Sequence, residues 1–221
     1  METYSGNRNY TFSLLNQTLI LLAEKAIFWQ ETGILLIADL HIGKVNHFRK
    51  SGIAVPQITT NTDYSILNRL LQQYAVHEVV FLGDLFHSKA NQACEEFAEW
   101  LMQYPHIRFT LVKGNHDILP HSFYDSAAIT LHPDTLIKPP FILSHIPLTK
   151  SSDYYNLAGH LHPAVKLFGK GKQVLTLPCF CFGKTTGILP AFGSFTGNAI
   201  ISPEPESRVF AIADAQIRSL N

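Results

Sequence analysis

Five short clusters along the chain carry side chains that ligate metals or move protons. They are Asp39-Leu40-His41, Gly83-Asp84-Leu85-Phe86-His87, Gly114-Asn115-His116-Asp117, Ser144-His145 and Gly159-His160-Leu161-His162. In an extended chain residues two apart face the same side, so Asp39 and His41 can reach one ion together, as can His160 and His162. Leu40 and Leu161 are then expected to point into the core. A glycine before Asp84, Asn115 and His160 permits a tight turn or a close backbone approach that sends a short side chain toward a shared point. Mixed Asp, Asn and His ligands suit Mn²⁺, Fe²⁺ or Zn²⁺, whereas a Ca²⁺ site would be all oxygen and a structural zinc site would favour Cys. The ligands are too many for one ion. Two metals bridged by a single carboxylate would use them all, and paired metals are a standard solution for in-line displacement at phosphorus. A lone Asp-x-His or His-x-His says little, but Gly-Asn-His-Asp has no evident packing rationale, and five such clusters in one chain make coincidence a poor explanation.

The elements that must position these residues are short β-rich apolar runs: Ile34 to Ala38, Val79 to Leu82, Phe109 to Val112, Phe141 to Leu143 and Val174 to Leu177. Each ends near Gly, Asp, Asn, Ser or Pro and reads as a buried strand feeding a loop. Between the first two, Ile66, Leu67, Leu70, Leu71 and Tyr74 recur at helical spacing, with Thr62 or Asp63 as the expected N-cap. A second helix fits Cys94, Phe97, Trp100 and Leu101, with Pro105 as its stop. Strand, helix, strand, helix, strand is an α/β layout, and an open α/β sheet builds sites at its strand ends. After Phe141 the helical signal fades, so the second half is expected to build another sheet.

The composition bounds the rest. At 221 residues, 46% hydrophobic and 15% charged, with a mean hydropathy of +0.08, the chain can bury a core without staples. There is no repeat or linker to divide it, so residues 12–221 read as one domain, after an N-terminal extension, residues 1–11, that would fray. Lys and Arg balance Asp and Glu, so any phosphate contact must come from a local patch or a bound metal. Three cysteines (Cys94, Cys179, Cys181) cannot make a disulfide framework. Cys179 and Cys181 alternate as small buried hydrophobes, and Trp29 and Trp100 read as core. The run Leu19 to Ala23 is too short for a signal segment and nothing approaches a membrane span, which points to the cytoplasm.

These motifs resemble the calcineurin-like metallophosphoesterase superfamily, whose pattern is Asp-x-His, Gly-Asp, Gly-Asn-His-Asp/Glu, His and Gly-His-x-His; every element is present. The resemblance implies an α/β fold, a four-layer α/β/β/α sandwich of two mixed β-sheets with a dinuclear site at the strand ends. It assigns one metal to Asp39, His41 and His162, the other to Asn115, His145 and His160, with Asp84 bridging. A hydroxide between the metals would attack phosphorus. His116 is then placed to donate a proton to the leaving oxygen, with Asp117 favouring its charged form.

From about Phe12 onward the chain also resembles the DNA ligase-associated metallophosphoesterases, or ligase-associated DNA damage response endonucleases. The likeness lies in Ala38 to Lys44 with His47, Phe48 and Arg49, the Gly52 to Pro56 segment, Phe81 to Ser88, Asn156 to Pro163, Leu177 to Phe180 and Leu189 to Gly197. That subgroup implies a bacterial, cytoplasmic, Mn²⁺-dependent DNA phosphodiesterase and endonuclease, with single-stranded DNA as the favoured substrate and no membrane partner. It also implies functional association with an ATP-dependent DNA ligase, an exonuclease and a helicase in DNA repair. Protein phosphatases of the superfamily carry Asp-Arg where His87 and Ser88 stand here, which argues against that activity. His87 either faces substrate or supports Asp84. Lys44, His47, Arg49 and Lys50 could form a cationic rim for a nucleic-acid backbone, or a solvated charged face. Two rival functions stand beside the nuclease: a phosphodiesterase or phosphatase acting on a small nucleotide or phosphomonoester, and a non-catalytic repair scaffold.

Overall fold

Four antiparallel strands open the chain: β1 (Tyr10–Leu14), β2 (Gln17–Leu22), β3 (Ala26–Trp29) and β4 (Ile34–Ile37). The sheet then turns parallel through β5 (Glu78–Leu82), β6 (Arg108–Val112) and β7 (Ile129–His132), giving the sequential order β1 to β7. The computed structural model describes residues 8–44, 58–87, 90–150, 152–169, 171, 173–194 and 196–220. β1 already includes Tyr10 and Thr11 of the expected N-terminal extension, and Asn9 donates to the Tyr74 hydroxyl at 2.8 Å. Helices α1 (Ile58–Gln73), α2 (Gln92–Leu101) and α3 (His121–Ser126) link the parallel strands.

Two helix boundaries differ from the sequence reading. Helix α1 begins at Ile58, so Thr62 and Asp63 lie inside it and do not cap it. Asp63 instead accepts a hydrogen bond from Ser194 Oγ at 2.5 Å, a partner 131 residues away. Helix α2 is capped by Asn91, whose side chain accepts from Ala93 N–H, and it ends at Leu101, ahead of Pro105.

The second sheet follows the path β14-β11-β12-β13-β10-β9-β8, with β15 pairing β12 and β16 pairing β15. Its strands are β8 (Thr135–Lys138), β9 (Phe141–Ser144), β10 (Tyr155–Ala158), β11 (Pro163–Phe168), β12 (Val174–Phe182), β13 (Thr186–Ile188), β14 (Ala199–Ile200), β15 (Arg208–Ala213) and β16 (Gln216–Ser219). Both sheets are mixed. β9, β10 and β13 run parallel, while β11 and β12 form an antiparallel hairpin.

Four of the five apolar runs are continuous because their strands are buried on both faces; the fifth, Val174 to Leu177, departs from the expected buried strand, since Val174 and Leu175 are exposed where β12 extends beyond the packed sheets. In β4, Leu35 and Ile37 meet Leu67 and Leu70 of α1 and Phe97 and Trp100 of α2, while Ile34 and Leu36 point the other way. That second face meets Phe141, Leu157, Phe180, Phe182 and Phe210 of the second sheet. The result is an α/β sandwich of two mixed sheets flanked by few helices. The described helices all cover the first sheet; where the four-layer expectation puts helices on the second, a smaller cluster of Val165, Leu177, Cys179, Cys181, Val209 and Ala211 lies. Far from the strand ends that carry the ligands, Glu78 of β5 ties the sheets together, bonding Lys138 of β8 at 2.7 Å and Thr110 at 2.8 Å.

Candidate dinuclear metal centre

The ligand motifs emerge at the carboxyl ends of β4, β5, β6, β9 and β10, which share one edge of the sandwich. Beyond β4 and β5 the two chains stay zipped: Asp39 N–H donates to Gly83 O at 3.2 Å, His41 N–H to Asp84 O at 2.9 Å and Ile42 N–H to Leu85 O at 2.8 Å. The backbone here is not extended. Asp39 (φ 54°), His41 (51°), Asp84 (50°), His160 (67°) and His162 (46°) all occupy the left-handed region, which side chains with a Cβ rarely adopt. Each such residue costs ~1–3 kcal/mol, and such strain collects at functional sites. The outcome expected of two-residue alternation is met at the first motif, where Asp39 and His41 join one ligand group, and fails at the last, where His160 and His162 go to different groups. Leu40 is buried as anticipated, but Leu161 is 39% exposed, because the turns at His160 and His162 swing it outward.

The glycines act by close approach. A Cβ on Gly83 (φ 78°) would overlap the His145 ring, one on Gly114 would overlap Asp84, and one on Gly159 would stand 2.7 Å from Asp39 Oδ2. Sheet edge and loops are thus pressed together until their side chains converge.

Two trios result. Asp39, His41 and His162 form one and Asp84, His145 and His160 the other, the ligand atoms of each lying within 4.8 Å of one another. Asp84 reaches both, with Oδ1 3.5 Å from His145 Nε2 and Oδ2 3.8 Å from His41 Nε2. Backbone groups aim the ligand atoms. His145 Nδ1 meets Leu82 O at 3.0 Å, turning Nε2 to the cluster, and His162 Nδ1 meets Gly197 O at 3.1 Å, turning Nε2 to Asp39 Oδ1 at 3.2 Å. Asp39 Oδ2 accepts from His160 N–H at 2.9 Å, and Asp84 Oδ1 from His116 N–H at 2.8 Å. Asp39 Oδ1 and His162 Nε2 are buried yet make no hydrogen bond, which is costly for polar atoms unless a cation sits between them. Burial first, then the positive charges of Lys44, His162, His87 and His116, push His41 down to about 2, so its imidazole is neutral and able to ligate. Burial also lowers His160, as does His145. The residues fit two divalent cations.

The other candidates are distributed around these trios. Asn115 is exposed and lines, with His145, Gly114 and Ser144, a pocket of about 340 Å³. His116 is exposed, its ring 5.5 Å from that of His41. His87 stacks on His116 at 5.5 Å with an interplanar angle of 22°, and lies edge-on to His41 at the same separation. Asp117 is fully buried, and its two oxygens accept from Gly114 N–H at 2.8 Å and Phe86 N–H at 3.0 Å. Its carboxylate is therefore engaged by the backbone of two ligand-bearing loops, rather than by the His116 ring. Lys44 is partly buried; burial lowers its pKa against the opposing pull of Asp84 and Asp39. His47, Arg49 and Lys50, the rest of the expected cationic rim, lie outside the described residues, as does Ser88.

Phe192, Gly193 and Gly197, in a segment noted in the sequence without a role, turn out to brace the site. Phe192 N–H donates to Ala38 O at 2.8 Å and Gly193 N–H to Asp39 O at 3.2 Å, while Gly197 O holds His162. Backbone carbonyls leave no trace in residue type, so only the Gly-Ser-Phe-Thr-Gly spacing hinted at them.

Residues 32–181 match the family profile described as calcineurin-like phosphoesterase. Among solved structures, the chain is similar to the crystal structure of Pseudomonas putida nuclease MPE, with 31% identity and a TM-score of 0.81 over 96% of this chain and 100% of that one. A search of curated proteins found no match.

Proposed function

The chain belongs to the calcineurin-like phosphoesterase family, and from that premise we propose that it is a metal-dependent phosphodiesterase that cuts DNA strands. The observation that carries the reading is the pair of ligand trios joined by Asp84 at one strand-end edge. The full-length likeness to a nuclease supports the choice of a nucleic acid as substrate. Asp39, His41 and His162 would hold one divalent cation and Asn115, His145 and His160 the other, with Asp84 between them. The mixed oxygen and nitrogen donors favour Mn²⁺, with Fe²⁺ and Zn²⁺ as alternatives. Bound cations would supply activation of the attacking water and neutralisation of charge on the phosphoryl oxygens.

The chain's own residues do the rest. His116 is pinned through its N–H to Asp84, which leaves its exposed ring to hand a proton to the leaving oxygen. His87, stacked on that ring, faces the same space and orients it or meets the phosphate. Asp117 positions His116 by clamping the loops on either side. Lys44 and Arg49 are the proposed contacts to flanking phosphates. The segments Ala38 to Lys44, Phe81 to Ser88 and Leu189 to Gly197 support the finer assignment to the DNA ligase-associated subgroup, and with it a cytoplasmic role in repair beside a ligase, an exonuclease and a helicase.

The test incubates metal-stripped protein with Mn²⁺ and an end-labelled single-stranded oligonucleotide, alongside His145→Ala and His116→Ala, and resolves products by length. Internal cuts that need Mn²⁺ and vanish in His145→Ala establish the activity. A protein that binds two metals per chain yet cuts no diester overturns it.

A further inference from the structure

We infer that the β11–β12 hairpin is the wall along which a single-stranded nucleic acid runs from the metal centre, with Phe168 as its base-stacking platform. The inference rests on the phosphodiesterase reading above and adds the surface that would hold the substrate.

The register places the hairpin over the site. Ala158, the end of β10 just before Gly159 and His160, is level with Ile188 of β13, and Ile188 is level with Cys181 of β12. β12 is antiparallel to β13, so its first residue, Val174, lies seven residues beyond that level in the direction in which β10 delivers its ligands. At ~3.3 Å per residue the hairpin stands about 20 Å proud of the strand ends. It is paired throughout, from Ala164 opposite Pro178 to Phe168 opposite Val174, and Gly169 N–H closes its turn onto Gln173 O at 2.9 Å.

Alternation decides which face looks at the site. Phe180 and Phe182 pack between the sheets, whereas Leu177, Cys179 and Cys181 pack outside. Even-numbered positions of β12 therefore face the first sheet, and directly opposed residues share a face. By that rule Lys166, Phe168, Val174 and Thr176 face the space above the ends of β4 and β5, where Asp39 and Asp84 emerge. All four are exposed, Phe168 at 79% and Val174 at 52%. An aromatic ring with an ammonium two residues away on the same face matches the two parts of a nucleotide, a base to stack and a phosphate to neutralise. In a duplex both faces of each base are already stacked, so the occupant is a single strand. The surface is continuous with the site, since β11 begins at Pro163, next to His162. From Pro163 to Phe168 is about 17 Å, which sets the stacked base a few nucleotides from the cut.

The experiment measures cleavage by the Mn²⁺-loaded protein of a single-stranded oligonucleotide and of bis(p-nitrophenyl) phosphate, a diester too small to reach the hairpin. Phe168→Ala is expected to raise KM for the oligonucleotide about 5- to 100-fold while leaving hydrolysis of the small diester unchanged, and Phe168→Trp to restore it. An abasic site at the stacked position should reproduce the loss in the unmutated protein and add nothing in Phe168→Ala. Lys166→Ala should flatten the dependence of log affinity on log salt by about 0.7. Equal losses on both substrates overturn the assignment, as does unchanged oligonucleotide cleavage. So does a concentration-dependent dimer, seen by sedimentation, that Phe168→Ala abolishes without altering oligonucleotide KM. If the unmutated protein cleaves neither substrate, the phosphodiesterase reading itself falls.

Discussion

Replacing Asp117 tests whether the site is held by its loops or by its metals. The Asp117 carboxylate is inaccessible and accepts two backbone N–H groups, Gly114 at 2.8 Å and Phe86 at 3.0 Å, one from each of the loops that carry Asn115 and Asp84. Asp117→Ala orphans both donors at about 1–3 kcal/mol each, a loss of about 2–6 kcal/mol. The removed carboxylate partly offsets this. Burial, outweighing its hydrogen bonds to backbone N–H groups, raises its pKa above the usual carboxylate value. The folded state thus keeps this proton to higher pH than the unfolded chain, so this group's contribution to stability is full below about 3.8 and falls as pH rises through the folded value. At neutral pH its removal therefore gives some stability back, and the net loss should sit in the lower half of the range. At ~2–4 °C per kcal/mol for a domain of this size, melting of the metal-free protein should drop by about 4–16 °C. Calorimetry on the metal-free protein reads this directly, and single-turnover cleavage of the Mn²⁺-loaded variant reads the catalytic consequence. Asp117→Asn, which keeps one acceptor and sets its amide against a donor, should be no better than half as damaging. A fall of less than about 2 °C in Asp117→Ala, with cleavage intact, would refute the clamp.

Three further outcomes follow from the same geometry. Mn²⁺ at 100 times its dissociation constant should stabilise the protein by about 2.7 kcal/mol, a rise of roughly 5–11 °C by differential scanning fluorimetry; His145→Ala should lose most of it, and an unaltered shift there would remove His145 from the ligand set. Asn68→Leu takes away the acceptor shared by Trp100 Nε1 at 2.8 Å and Tyr104 Oη at 2.7 Å; urea denaturation should register a loss of about 1–3 kcal/mol, with activity per folded molecule unchanged. All three cysteines are free and buried, and burial pushes Cys179 up to about 12; at pH 8 a colorimetric disulfide reagent should find almost no thiol in the folded protein and three in denaturant, and prompt reaction of the native chain would contradict the packing.

Four of the ligand motifs were legible because each follows an apolar run whose burial on both faces dictates a strand, and strand ends in open sheets converge; β10, which delivers His160 and His162, is interrupted by the buried Asn156 and its pattern does not announce a strand. The helix faces around Leu67, Leu70, Phe97 and Trp100 were legible for the same reason of period. What the sequence hid is mostly backbone. Left-handed φ at His160 and His162 breaks the alternation that would have buried Leu161, and residue type alone does not announce it. Helix α1 starts among Ile58, Thr59 and Thr60, β-branched residues with poor helix propensity, so the later Thr62 and Asp63 looked the better cap. The β1–β3 meander turns at Leu15-Asn16 and Lys25, where no glycine marks the positive φ, so the sequence pattern does not announce its strands. Pairings such as His162 with Gly197 O, Asp63 with Ser194 and Glu78 with Lys138 span long stretches of chain and arise only once the sheets are stacked.

Each trio of ligands draws on both sheets, hence on both halves of the chain: Asp39 and His41 with His162, and Asp84 with His145 and His160. The centre is a seam, and neither side of the seam owns a complete set. Were the chain divided in the region between β7 and β8, each fragment would bring an orphaned half-site and an uncovered apolar sheet face. Tight metal uptake would then report reassembly of the two pieces, because coordination and the mating of the sheets are one event.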